Sequence, residues 1–145
     1  MANTSAMCTS FKQEILVATH NFTASTGNTF KIALYDSDAT LGASTTAYST
    51  SEEITNTSGT AYTAGGATLT SVTPTTSGTT AFCDFAPDIS WTSASFTANA
   101  ALIYNSSASN KAVAAIAFGG DKTVTNGTFT IQFPTADASD AIIRI

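Results

Sequence analysis

Few side chains in this chain can do chemistry, and their spacing narrows what that chemistry could be. His20 is the only histidine. It stands at the end of a helical pattern, where an imidazole complements the partial negative charge of the last carbonyls. No carboxylate or thiol is spaced with it as a nucleophilic triad or a Cys–His pair would need. Cys8 and Cys83 fit neither metal-ligand nor redox spacing. They read as two buried thiols or one disulfide, and the lack of a signal peptide favours thiols. The acids come in pairs: Asp36 with Asp38, Glu52 with Glu53, Asp84 with Asp88, Asp137 with Asp140. Asp36 and Asp38 could begin a Ca²⁺ site, but Leu41 occupies the position where an EF-hand loop requires glycine. An Asp-rich turn accepting backbone hydrogen bonds is the simpler reading. Glycosidase-type work needs two carboxylates facing each other across a cleft, which spacing alone does not define. No G-x-S-x-G elbow, H-E-x-x-H helix or phosphate-binding glycine loop occurs. The chain therefore reads as non-enzymatic, with no catalytic residue, no metal site and no cofactor.

Binding remains. Tyr35, Tyr48, Tyr62, Tyr104 and Trp91 are of the types that dominate interfaces. Trp91 and Tyr104 read as core, and Tyr48, in a weakly apolar segment, as the best exposed candidate. Candidate partner-binding residues are Asn3, Thr4 and Ser5 on a free N-terminal arm, with Tyr48 and Tyr62. Charge limits the partners. Only 10% of the residues are charged, and five basic side chains stand against ten acidic ones. Five cations cannot neutralise a run of phosphates, which excludes a nucleic-acid binder. No apolar run is long enough to span a membrane.

The elements that must position these residues are mostly strands. The chain holds 28 Thr and 17 Ser but only five Leu, which disfavours helical bundles and suits β-sheet. Residues 1–9 are small and polar and read as a flexible arm. Ser10 and Gln13 have capping-box spacing, and Phe11, Ile15, Ala18 and Phe22 recur on one face, predicting a short helix from Phe11 to about His20. Thr29–Tyr35 alternates as a strand with Phe30, Ile32 and Leu34 on its buried face. Residues 39–60 read as a long loop with a short strand near Tyr48 and an acidic turn at Ser51–Ile54. Tyr62–Gly66 reads as a bend and Pro74–Gly78 as a turn. Strands are expected at Thr79–Phe85, Ile89–Thr92, Phe96–Tyr104, Lys111–Phe118 and Phe129–Phe133. The turns between them fall at Asn105–Asn110, Gly119–Asp121 and Asn126-Gly127, the last being the strongest hairpin signal. The sum is mainly β: an antiparallel sandwich or partly open barrel of about 7–9 short strands with one short N-terminal helix. Residues 10–145 form a single domain behind the arm of residues 1–9.

Five segments in order resemble a family of small virion proteins encoded among the structural genes of tailed bacteriophages. They are Phe11–Leu16, Thr29–Tyr35, Tyr62–Leu69, Ala101–Asn105 and Gly127–Pro134, and the resemblance covers about residues 11–145. Segment 36–60, rich in Thr and Ser, departs from the pattern and reads as an elaborated loop. The resemblance implies a capsid decoration (cement) protein, made in the host cytoplasm and placed on the capsid surface of the virion. Its partners would be the major capsid protein and neighbouring copies of itself, as a homotrimer, with no nucleic acid and no membrane. The alternative is a tail, fibre or host-adhesion module, with Tyr48 and Tyr62 serving a glycan. In the cement reading, the arm grips the shell, and its removal leaves the domain folded.

Overall fold

A computed structural model describes residues 2–54 and 61–145. Its eight strands and one helix, in chain order, are β1 (Ala6–Met7), α1 (Thr9–Leu16), β2 (Phe30–Tyr35), β3 (Ala67–Thr68), β4 (Ser71–Ser77), β5 (Thr80–Phe85), β6 (Ile89–Asn105), β7 (Lys111–Ile131) and β8 (Ile143–Arg144). They form two antiparallel sheets, one ordered β1-β7-β6-β2-β3 and the other β4-β5-β8. This is the mainly β, two-sheet arrangement expected, with no closed barrel. Among the described residues, no helix is long and apolar enough to cross a membrane.

The centre is the pairing of β2 with the end of β6, Phe30 opposite Asn105 through Tyr35 opposite Ala100, with the start of β7 on β6's other side. Phe30, Ile32, Ala33, Leu34, Ala100, Ala101, Leu102, Ile103, Ala112 and Val113 are all fully buried there. Alternation in β2 predicted one buried face. Both are buried, because residues 36–54 fold back over the second face and Tyr35 donates from it to the Ser49 carbonyl. A second group of aromatics packs on the far half of the hairpin. Trp91 and Phe96 pack on the ring of Tyr62, at 88° to each other, and Phe129 packs on both of them.

Five expected boundaries shift, each for a local reason. The helix begins at Thr9 behind Cys8, which makes no side-chain cap. Ser10 lies inside the helix, its buried Oγ has no hydrogen-bond partner, and the expected capping box does not form. The helix also stops early, at Leu16, because Ala18 turns to positive φ and carries His20 inward. Pro74 sits within β4, an edge strand, at the register shift between Val72 and Thr75, where its missing N–H costs nothing. Gly119-Gly120 and Asn126-Gly127 are bulges inside one long β7 rather than turns. Gly119, Gly120 and Asn126 do adopt the positive φ that those signals announce. However, β6 continues opposite them, so the extra residues are extruded instead of reversing the chain. Ser95 Oγ takes the Asn126 N–H at 2.9 Å and helps to hold that bulge. Ser93 makes the matching bulge on β6, also at positive φ.

The N-terminal segment differs most. Residues 3–8 are laid along the body instead of forming a free arm. Ala6 and Met7 pair with Ala115 and Ala114 of β7, and the Thr4 N–H donates to Leu41. Asn3 donates from Nδ2 to the Asp36 carbonyl and the Asn99 side chain, and its Oδ1 accepts the Leu41 N–H at 2.9 Å. Ser5 Oγ accepts the Ala117 N–H. Cys8, at the end of the segment, is fully buried. Deleting residues 1–7 removes these bonds and is expected to destabilise the domain by roughly 2 kcal/mol or more, seen as a lowered thermal midpoint. An unchanged midpoint would restore the free-arm reading.

Candidate functional site

The titratable side chains that are buried gather at three places. The first is beneath the loops that cover β2. β3 pairs only with Lys31 and Ile32, so the rest of that edge of β2 must find other partners. The Leu34 N–H donates to the Tyr62 hydroxyl at 3.0 Å, and the Leu34 carbonyl accepts the Ile54 N–H. Tyr62 in turn donates to Glu53 Oε1 at 2.7 Å, and the Gly65 N–H donates to the same oxygen at 2.7 Å. The Tyr48 hydroxyl donates to Glu53 Oε2 at 2.7 Å. Tyr104 stacks on Tyr48 at 4.6 Å and donates to the Gly65 carbonyl. Gly66 lies so close to β2 that an added Cβ would meet the Ile32 carbonyl oxygen, which explains the glycine. Burial and the bond to an acidic acceptor push the Tyr48 and Tyr62 hydroxyls far above the usual phenol range. Burial pushes Tyr104 up to about 12. These phenols stay protonated donors, and the cluster fixes the loops on β2.

The second place joins α1 to the β6–β7 turn. Glu14 and His20 are both buried, and the His20 Nε2–H donates to Glu14 Oε2 at 2.8 Å. Lys111 Nζ donates to the other Glu14 oxygen at 2.9 Å. Asn105 Nδ2 lies 3.0 Å from His20 Nδ1 and donates to Asn28 Oδ1 at 2.9 Å. His20 is thus no exposed helix terminus but part of a buried polar chain. At the third place, Asp84 is buried on β5, and its carboxylate accepts the Phe85 and Ile142 N–H groups.

The residues expected to meet a partner are not brought together. Tyr62 is fully buried and presents no surface, which corrects its assignment. Tyr48 is half-buried and engaged by Glu53 and Tyr104. Asn3 is spent within the chain, while Thr4 and Ser5 remain exposed beside it. Cys8 and Cys83 are free and buried. Burial raises their thiols to about 11 and about 12, so neither is a nucleophile near neutral pH. Glu52 joins Asp36 and Asp38, with oxygens of all three within 4.8 Å of one another. Asp36 Oδ1 already accepts the Asp38 N–H, the Asp-turn role expected of it.

Sequence reasoning missed a cleft of about 440 Å³ between α1 and the second sheet, lined by Phe11, Ile15, Phe22, Phe82, Cys83 and Ile143 among others. Ile145 also lines it, and Ile145, Leu16 and Val17 are the large hydrophobics most exposed among the described residues. The signal that could have found it was the run Ile15-Leu16-Val17, too wide for the narrow apolar face of the helix. No family model matches the chain, and neither does any curated protein or solved structure.

Two expectations follow. Glu53→Ala leaves three donors without their acceptor and should cost about 3–5 kcal/mol. Glu53→Gln, which keeps one oxygen, should cost clearly less; equal losses in urea unfolding would refute this account. The second concerns pH. Burial raises the Glu14 carboxyl, but bonds from Lys111 and His20 outweigh it and hold the group below its ordinary value of 4.5. Its contribution is therefore present above that value and lost as pH falls through the lowered folded one. Burial instead raises Asp84 above its ordinary 3.8, so its contribution is present in acid and lost as pH rises through the folded value. Glu14→Gln should accordingly flatten the acid limb of a stability–pH curve, and Asp84→Asn should steepen it. Parallel curves for wild type and both variants would contradict the assignment.

Proposed function

We propose that the protein is a non-enzymatic structural protein of a tailed-phage virion, a capsid decoration protein. It would bind the lattice of the major capsid protein beside neighbouring copies of itself, as a homotrimer on the capsid surface, and stabilise the shell. One observation carries this reading: the segments through which the chain resembles that family supply residues that hold its central sheet, while Glu53 and Tyr48, which tie the loops to it, come from the departing segment 36–60. Glu14 comes from the first segment, Tyr35 from the second, Tyr62, Gly65 and Gly66 from the third, Tyr104 and Asn105 from the fourth, and Phe129 from the fifth. What the resemblance marks is architecture rather than reactive groups. A body with few charges also suits close cover by neighbours, since little charge must be desolvated.

The glycan-binding alternative has less support, because Tyr62 is buried and Tyr48 lies against Tyr104, leaving no paired aromatic platform. The test is to add purified protein to shells lacking it and to image the particles by cryo-EM. Density repeated across the shell at lattice three-fold positions is the expected result. A few copies confined to the tail, or no binding, would overturn the proposal.

A further inference from the structure

We propose that His20 is a proton-operated latch joining the segment after α1 to the β6–β7 turn. The orientation of Asn105 is set without reference to the ring. Its Oδ1 accepts the Ser107 N–H at 3.0 Å, and its Nδ2 donates to Asn28 Oδ1 at 2.9 Å. The amide nitrogen therefore faces His20 Nδ1, at 3.0 Å, and Nδ1 is an acceptor. The ring's other nitrogen carries the hydrogen given to Glu14. Together these contacts specify the Nε2–H tautomer.

A proton taken from solvent must then go to Nδ1, where N–H would face N–H. Turning the Asn105 amide over relieves that conflict but breaks the Ser107 bond and sets two oxygens, of Asn105 and Asn28, against each other. Turning Asn28 over as well sets its amide nitrogen against the Asn21 N–H, which now donates to Asn28 Oδ1 at 2.8 Å. Rotation of one side chain cannot absorb the proton, so the bonds at Ser107, Asn28 and Asn21 give way together.

The charged and titratable groups around the ring are few. Glu14 approaches from α1, Lys111 from β7 on the other Glu14 oxygen, and the Cys83 thiol from β5 lines the same cleft as the ring. Phe11, Phe22 and Phe30 pack around the imidazole. Glu14 favours the imidazolium and Lys111 opposes it, which leaves the donor conflict at Asn105 as the element that couples protonation to structure. Because His20 and Phe22 line the cleft beside α1, release of the latch loosens one of its walls.

The test is NMR on the full chain with labelled histidine. At neutral pH the ring should show the Nε2–H tautomer. As the pH is lowered, hydrogen-exchange protection at the Ser107 and Asn21 amides should fall about tenfold in step with protonation of the His20 ring. Protection at Leu34, which bonds Tyr62, should hold. In His20→Gln the fall at Ser107 and Asn21 should be absent; if that variant does not fold, the wild-type titration decides alone. An Nδ1–H tautomer, a ring that stays neutral until the whole domain unfolds, or a ring that takes up its proton with Ser107 and Asn21 still protected would each overturn the proposal.

Discussion

Residues 36–54 contribute few large apolar side chains, so hydrophobic burial alone cannot hold them on the sheet, and the Glu53 carboxylate supplies what is missing. A carboxylate only accepts hydrogen bonds, and here its donors come from two separate stretches of chain, Tyr48 on one and Tyr62 with Gly65 on the other. Tyr62 passes the constraint on to β2 through Leu34, and Gly65 passes it to β6 through Tyr104. The loops, the exposed edge of β2 and the centre of the large sheet are thus tied through one buried group. A buried charge is expensive unless fully satisfied, and removing any one of its donors disturbs the others.

The polar chain of Glu14, His20, Asn105 and Asn28 does similar work elsewhere in the same sheet, with Lys111 paired to Glu14. Glu14, Glu53 and Asp84 are the buried charged side chains among the described residues, and each is held by hydrogen bonds. On the outer hairpin, hydroxyls pair with each other at Ser90–Thr130 and Thr97–Thr123, both at 2.8 Å. Thr on strands satisfies β-propensity and hydration together without long charged side chains.

Much of this was legible in the residues. The alternation of Phe30, Ile32 and Leu34 located β2, the polar run 105–110 located the central turn, and Thr79–Phe85 located β5 to within a residue. Trp91 and Tyr104 were rightly placed in the core. What failed shares one cause: the same residue serves two geometries, and only the partner strand decides between them. Asn126-Gly127 provides positive φ for a turn or for a bulge, and β6 running on opposite it chose the bulge. Pro74 ends a central strand but is harmless on an edge. Tyr62 was misjudged because its neighbours are Ala, Gly and Thr, while its burial comes from Leu34, Glu53 and Trp91, all distant in sequence. The expected arm at residues 1–9 failed likewise, since Asn3 finds its partners at Asp36, Leu41 and Asn99.

The irregularities of the long hairpin carry a consequence of their own. The outer half of β6 and β7 has no strand neighbour on either side among the described residues. Sheet borders of this kind are commonly kept from sticking to other chains by lysines; here Lys122 stands at the inner end, opposite Ala98, and residues 123–131 and 89–98 beyond it contain no charge. Their guard is shape: kinks at Ser93, Asn126 and Gly119-Gly120 interrupt the straight run that an invading strand would need. Repulsion between like charges fades as salt is added, whereas a kink does not. A border guarded by kinks therefore keeps its guard at any ionic strength.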